Sequence, residues 1–116
     1  MITNKTQDQI ISKEIIICDK LWSSMRGLMF RKTLGEDQCL LIDLHKDTNA
    51  AIHMFFVNFP IDVVWLNNEK RVVDVAKDIK PNTPYKAPSK FARYILELPE
   101  GTLDNKSISV GDLFAF

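Results

Sequence analysis

Apolar residues recur at every second position along much of the chain, and this spacing predicts β-strands. In the segment 39–45, leucine and isoleucine side chains share one face while Asp43 and His45 lie on the other. The segments 52–59 and 61–66 are apolar on both faces, which is typical of strands that are covered on both sides. The predicted strands are 14–18, 39–45, 52–59, 61–66, 71–79, 94–98, 107–110 and 113–116.

Turns and helices are predicted between these strands. The polar residues 67–70 join two strong strands over a short distance, which favours a hairpin. One segment has helical spacing instead, with an apolar stripe that begins at Leu21 and Trp22 and predicts a short amphipathic helix near 20–27. A second short helix is predicted over 102–106.

A proline-rich segment, 78–89, interrupts the strand pattern. Each of its three prolines removes a backbone hydrogen-bond donor, so the segment cannot be a central strand. We interpret it as a stiff connection on the surface. The alternative is a rim or lid over a pocket, with Tyr85 as a contact to the ligand.

Together these elements predict a small, mostly β domain of the α+β type. Seven to eight short strands form a mainly antiparallel sheet, accompanied by one short amphipathic helix. Because a chain of this length has few residues with which to cover both faces of a sheet, we expect the sheet to curl into a barrel-like form. The whole chain, 1–116, is expected to be a single domain whose polar segment 1–8 is frayed.

Charge and length limit the classes of partner. The 116 residues include fifteen basic and fifteen acidic side chains, a formal net charge of +0. This balance is a poor match to nucleic acid or to an anionic membrane, and neither is expected as a partner. No apolar run reaches the roughly 20 residues that span a bilayer, and no secretory signal is visible, so the expected compartment is the cytoplasm. We expect a monomer or weak dimer that binds a small molecule or peptide.

The two cysteines, Cys18 and Cys39, each adjoin an apolar run, which favours buried thiols that pack as small hydrophobic groups. A disulfide between them is the alternative, although such bridges are uncommon in the cytoplasm. The sequence has no phosphate-binding glycine motif and no nucleophile motif. No cofactor is therefore predicted.

Three ionisable residues, His53, Asp62 and Glu97, lie inside otherwise apolar strands. A buried carboxylate needs a partner, because burying it unpaired costs several kcal/mol. Arg26, on the predicted helix, is the expected partner of Asp62 or Glu97. The group is interpreted either as a structural network that fixes the helix to the sheet or as a ligand site at a barrel mouth. A metal site is not predicted, because these residues lack the close spacing of metal ligands.

Several motifs in combination resemble one known family. They are the run 26–31, the segments 52–56 and 59–66, the run 96–101 and the pair at 111–112. Their order and spacing, from about residue 8 onwards, resemble domain-of-unknown-function family 192. The resemblance implies a small β-rich single domain whose activity is unassigned. Many members carry tryptophan where this chain has His53, and many are exported.

Our leading functional hypothesis is a non-enzymatic binding or accessory module, with no catalytic residue. Its candidate binding residues are Arg26, His53, Asp62, Tyr85 and Glu97. The alternative is a small-molecule hydrolase or isomerase in which Asp62 or Glu97 acts as general base and His53 as acid, which requires these groups in one cavity. A third hypothesis is self-association through an exposed strand edge in the segment 107–116.

Overall fold

The computed structural model describes residues 1–18, 34–49, 59–81, 83 and 86–116. Within these residues the chain forms two β-sheets and one short helix, so the predicted β-rich class is confirmed. In chain order the elements are β1 (Ile2–Asn4), β2 (Gln9–Ser12), β3 (Glu14–Cys18), β4 (Gln38–Thr48), β5 (Ile61–Leu66), β6 (Val72–Ile79), β7 (Ala92–Pro99), α1 (Thr102–Asn105) and β8 (Phe114–Ala115).

The larger sheet has five strands in the order β3-β4-β7-β5-β6. The strands β3 and β4 run parallel, and the other neighbouring pairs are antiparallel. All six residues of β5 are buried, because this strand lies between β7 and β6 and both of its faces are covered. This burial agrees with the continuous apolar pattern of the segment.

The predicted hairpin joins β5 to β6. The backbone amide of Asn67 donates to the carbonyl oxygen of Arg71 at 2.9 Å, and the amide of Lys70 donates back to the carbonyl oxygen of Asn67 at 2.9 Å. The side-chain oxygen of Asn67 also accepts from the amides of Glu69 and Arg71. Asparagine side chains favour tight turns for this reason, since they replace hydrogen bonds that the strands no longer provide.

The smaller sheet has the order β2-β1-β8 and brings the two ends of the described chain together. Ile2 and Asn4 are completely buried, so the expected fraying of the segment 1–8 is wrong for β1. The side-chain amide of Asn4 donates to Oδ2 of Asp112 at 2.8 Å, across 108 positions of sequence. This distant partner, which no local pattern reveals, holds the N-terminal strand in place.

The predicted strand 107–110 is also wrong. Ser107 to Ser109 have no regular structure, and Val110 and Gly111 form a turn. The amide of Ser109 donates to Oδ2 of Asp112 at 2.9 Å, and Gly111 has a φ of 98°, which favours glycine. The backbone groups of this segment therefore form local hydrogen bonds in a turn, whereas in a strand they would bond to a neighbouring strand.

Two hydrophobic clusters lie on opposite faces of the larger sheet. We call the cluster shared with the smaller sheet the inter-sheet core, and the one on the other face the outer core. The inter-sheet core includes Ile2, Ile11, Cys39, Leu41, Val64, Leu66, Val72, Tyr94, Leu96, Leu98, Leu103 and Phe114. The outer core includes Leu34, Leu40, Ile42, Phe59, Ile61, Val63, Trp65, Ala76, Ile79, Ala92 and Ile95.

The expected barrel closure does not occur in the described part of the chain. The strands β3 and β6 are the two outer strands of the larger sheet, and they do not pair with each other. One face of that sheet is covered instead by the smaller sheet and by Leu103 of α1. Covering a face with a second layer removes the need to close the sheet on itself.

The two predicted helices have different outcomes. The prediction over 102–106 is confirmed by α1. The predicted helix near 20–27 lies outside the described residues, as do residues 52–58 of the predicted strand 52–59.

Candidate functional site

The first buried carboxylate, Asp62, lies on β5 and is 1 % exposed. Its Oδ1 accepts a hydrogen bond from the backbone amide of Asp78 at 2.8 Å. Its Oδ2 accepts from the backbone amide of Leu103 at 2.9 Å. Both carboxylate oxygens therefore have strong backbone donors.

These two donors explain why a carboxylate is required at this point of the fold. Leu103 lies in the first turn of α1, where backbone amides have no partner within the helix. The residue before the helix, Gly101, has no side chain with which to cap it. Asp62 supplies that cap from the neighbouring sheet, and it also receives the amide of Asp78 at a β-bulge of β6. Asp62 is thus a structural link between β5, β6 and α1.

The second buried carboxylate, Glu97, has a different environment. It lies on β7 between Leu40 of β4 and Val63 of β5, and it is 5 % exposed. Its Oε2 is buried and has no hydrogen-bond partner among the described residues. Burial raises the pKa of Glu97 from its ordinary value of 4.5 to about 8. At neutral pH the side chain is therefore mainly a neutral carboxylic acid.

The sheet places these two carboxylates on opposite faces. In the register of β5 with β7, Asp62 is opposite Leu98 and Glu97 is opposite Val63. Since opposed residues point to the same face and successive residues alternate, Asp62 faces the inter-sheet core and Glu97 faces the outer core. The structure therefore does not bring Asp62 and Glu97 to a common cavity.

The other predicted site residues cannot be compared with the structure. Arg26, His53 and Tyr85 lie outside the described residues. The predicted pairing of Arg26 with a carboxylate thus stays a prediction. For Asp62, the described structure supplies two backbone partners without it.

A cleft of about 330 Å³ opens beside the face that holds Glu97. We call it the Pro99 cleft, and it is lined by Leu34, Glu36, Phe59, Pro60, Pro99 and Glu100. Pro99 follows Glu97 by two positions on β7 and so points to the same side of the sheet. Leu34 and Phe59 belong to the outer core, together with the two cross-strand neighbours of Glu97. The cleft and the unpartnered carboxyl group thus lie on one face of the sheet, although Glu97 is not among the described residues that line the cleft.

The acidic lining of the Pro99 cleft was not predicted from the sequence. Glu36 and Glu100 both lie in turns, where charged residues are ordinary. The sequence gives a weak indication that Glu100 belongs to the site, because Glu100 follows the strand that holds Glu97. The sequence gives no such indication for Glu36, because only the fold brings Glu36 next to Pro60.

A second cavity, of about 350 Å³, lies along β6 and is rich in lysine. Two of its lysines already have partners: Lys77 pairs with Asp104 at 2.7 Å, and Lys80 pairs with Asp78. The pKa of Lys77 and that of Lys80 are both raised by these neighbouring carboxylates. This cavity is therefore less available to an anion than its composition indicates.

Cysteine and metal chemistry have little support in the described residues. Cys39 is a buried free thiol, as predicted, and burial raises its pKa, which disfavours the reactive thiolate. Within the described ranges, no three histidine, cysteine, aspartate or glutamate side chains are grouped closely enough to bind a metal ion. No helix in this part of the chain has the length and apolar character needed to cross a membrane.

Comparison with known proteins identifies relatives over the full length. The sequence model of DUF192, described as "Uncharacterized ACR", matches residues 2–116. The chain is 35 % identical to UPF0127 protein TK1120 of Thermococcus kodakarensis, over 100 % of this chain and 73 % of that protein. It is 36 % identical to UPF0127 protein PF1050 of Pyrococcus furiosus, over 94 % of this chain and 91 % of that protein.

A solved structure shares the fold. A protein of unknown function from Novosphingobium aromaticivorans DSM 12444 aligns with a TM-score of 0.80 and 19 % identity, covering 88 % of this chain and 74 % of that one. At this level of identity, the comparison supports the architecture and does not carry a function.

Proposed function

We propose that this chain, which belongs to the DUF192 family of uncharacterised proteins, is a binding module for a small molecule. We place its binding site at the Pro99 cleft. The supporting observation is Glu97. A buried polar group without a partner is rare in folded proteins and needs an explanation. Glu97 lies on the same face as the cleft without lining it, and a ligand that reaches past the lining to this carboxyl group would provide one.

The shape and lining of the cleft support the same proposal. Its volume of about 330 Å³ is at the lower end of the range for small-molecule sites. Of the described residues that line it, four are apolar and two are acidic, which resembles ordinary ligand sites, where apolar walls surround a few polar groups.

A binding role is favoured over catalysis because the carboxylate pair of the enzymatic hypothesis is divided between two faces of the sheet. Asp62 has both of its oxygens engaged by backbone amides, so it is poorly placed to accept a proton from a substrate. An enzyme built on Glu97 would need another acid or base on the outer face.

A fragment screen by ligand-observed nuclear magnetic resonance tests the proposal. The collection contains cationic, anionic and neutral fragments of one or two rings, each at millimolar concentration. We expect a subset to bind the wild-type protein and to lose binding in Glu36→Trp, whose bulky side chain obstructs the cleft. Glu69→Trp, in the hairpin at the far end of β5, is the matched control and should bind normally. Absence of binding, or equal binding to both variants, would exclude the cleft as the site.

A further inference from the structure

Resting on the binding function proposed above, we propose that Asp62 is a positioning residue of the Pro99 cleft. Pro99 and Glu100 form one side of this cleft, and we call these two residues the β7 wall. Asp62 does not line the cleft and lies on the other face of the larger sheet. It acts through α1 and β6, which hold the β7 wall in place.

The β7 wall and α1 are joined around the end of the sheet. Pro99 ends β7 and points to the outer face, whereas Leu103 of α1 packs in the inter-sheet core. Only residues 100–102 lie between them, and Gly101 has a φ of 87°, which favours glycine. Because so few residues have a short reach, the position of α1 limits the positions that the β7 wall can take.

The first connection from Asp62 to the β7 wall runs through α1. Oδ2 of Asp62 accepts a hydrogen bond from the backbone amide of Leu103 at 2.9 Å, which fixes the first turn of the helix. The preceding residue, Thr102, is buried, and its Oγ1 donates to the carbonyl oxygen of Pro99 at 2.7 Å. Two hydrogen bonds on neighbouring residues therefore connect Asp62 with Pro99.

The second connection runs through β6. Oδ1 of Asp62 accepts from the backbone amide of Asp78 at 2.8 Å, and the side chain of Asp78 pairs with Lys80. Lys80 and Asp78 change each other's pKa most, lowering that of Asp78 and raising that of Lys80, and Glu100 contributes in the same directions. Glu100 thus lies beside an ion pair whose backbone is held by Asp62.

The two connections begin at different oxygens of one side chain and reach different residues of the β7 wall. In Asp62→Asn an NH2 group replaces one of these oxygens, and this group donates but cannot accept. The amide of either Leu103 or Asp78 then loses its acceptor. A matched control is Lys77→Ala, which breaks an exposed ion pair between β6 and α1 in which neither residue of the wall takes part.

Amide hydrogen exchange, measured by nuclear magnetic resonance without any ligand, tests the positioning role. The amides of Asn105 and Lys106 donate within α1 and not to Asp62, so they report the helix. The amide of Leu41, in the middle of β4, reports global unfolding. In Asp62→Asn we expect exchange at the two helix amides to accelerate at least about tenfold more than exchange at Leu41.

The signals of Pro99 and Glu100 report the β7 wall in the same samples. We expect them to shift in Asp62→Asn and to stay unchanged in Lys77→Ala. Thr102→Val breaks the bond to Pro99 and leaves both hydrogen bonds of Asp62 intact. It should shift the Pro99 signals without accelerating exchange in α1, and it tests the first connection even where Asp62→Asn does not fold. Unchanged Pro99 signals in Thr102→Val would overturn that connection.

Binding shows whether the position of the wall matters to the cleft. The probe is the fragment that the wild-type protein binds most tightly in the screen described above. We expect Asp62→Asn to bind it about tenfold more weakly, although Asp62 does not line the cleft, and Lys77→Ala to bind it normally.

The possible failures are distinguishable from a failure of the proposed function. Equal acceleration of exchange in β4 and α1, or unchanged signals of the β7 wall in Asp62→Asn, would show that Asp62 contributes to overall stability alone and would overturn the proposal. Equal binding of the fragment to Asp62→Asn and wild type would also overturn it, and would leave the cleft as the binding site. If no fragment binds the wild-type protein, the proposed function fails, and with it the positioning role.

Discussion

Among the described residues, each face of the larger sheet holds one buried carboxylate, and the two carboxylates have different hydrogen-bond partners. Asp62 faces the inter-sheet core and receives two backbone amides. Glu97 faces the outer core and has an oxygen without a partner among the described residues. The comparison teaches that burial of an acid does not by itself indicate a functional site, because the available donors decide whether the acid is structural or reactive.

The largest expected difference between the two carboxylates is in stability. Replacing Asp62 with alanine leaves the amides of Asp78 and Leu103 buried without an acceptor, so we expect unfolding to become easier by about 4 kcal/mol. Glu97→Gln, measured at pH 6, should change the free energy of unfolding by less than about 1 kcal/mol, because an amide replaces a neutral acid. Urea denaturation of both variants provides the measurement. Equal losses would remove the distinction.

The pH dependence of stability should sharpen the comparison further. The folded state keeps the proton of Glu97 up to about pH 8, whereas the unfolded chain loses it near pH 4.5. Between these values the native state binds more protons than the unfolded state, so stability falls as the pH rises. From pH 5.5 to pH 8 this contribution amounts to about 3 kcal/mol.

Comparison of the wild type with Glu97→Gln isolates this contribution. The variant cannot lose a proton at this position, so the difference in unfolding free energy between the two proteins should change by the same amount across the range. The variant should become the more stable of the two at pH 8. A constant difference between pH 5.5 and pH 8 would show that Glu97 is ionised in the folded protein, which contradicts its assignment as a neutral acid.

The smallest effect is expected from a surface ion pair that, like Asp62, links the sheet to α1. Lys77 and Asp104 join β6 to α1 at 2.7 Å, but their side chains are 57 % and 69 % exposed. Exposed pairs contribute little, because solvent screens their attraction and ordering two long side chains costs entropy. We therefore expect the urea midpoint of Lys77→Ala to be indistinguishable from that of the wild type. A clear decrease would mean that α1 depends on this pair as well as on Asp62.

The strands of the larger sheet were predictable because their pattern is local. The apolar run of β5 and the alternation in β4 indicate strands without reference to the rest of the chain. The end of β4 was less predictable. Oδ1 of Asp43 accepts a hydrogen bond from the amide of His45 at 2.7 Å, and His45 has a φ of 65°. The pairing of β4 with β7 is irregular between Asp43 and Thr48 for this reason, although the strand itself is continuous.

In the smaller sheet, β8 lies within the predicted strand 113–116, whereas β1 and β2 were not predicted, because their partners are distant in sequence. The strand β1 has three residues, and the side-chain amide of its buried Asn4 donates to Asp112 and to the carbonyl oxygen of Ser107, both far away in sequence. The hydrogen-bond partners of the two buried carboxylates could not be predicted for the same reason. The apolar pattern indicates that Asp62 and Glu97 are buried. The donors to Asp62 are backbone amides, and every residue type except proline has one, so these donors cannot be recognised from the sequence.

The pairing of β1 with β8 has a consequence for how the chain folds. Asn4 and Phe114 are neighbours in this sheet, so nearly the whole chain must be synthesised before the two strands can meet. Closing so long a loop is entropically costly, and contacts between distant residues slow the search for the native state. On the ribosome, the strands β3 to β7 can associate before β8 has been synthesised and can pair with β1. We therefore expect the smaller sheet to assemble last.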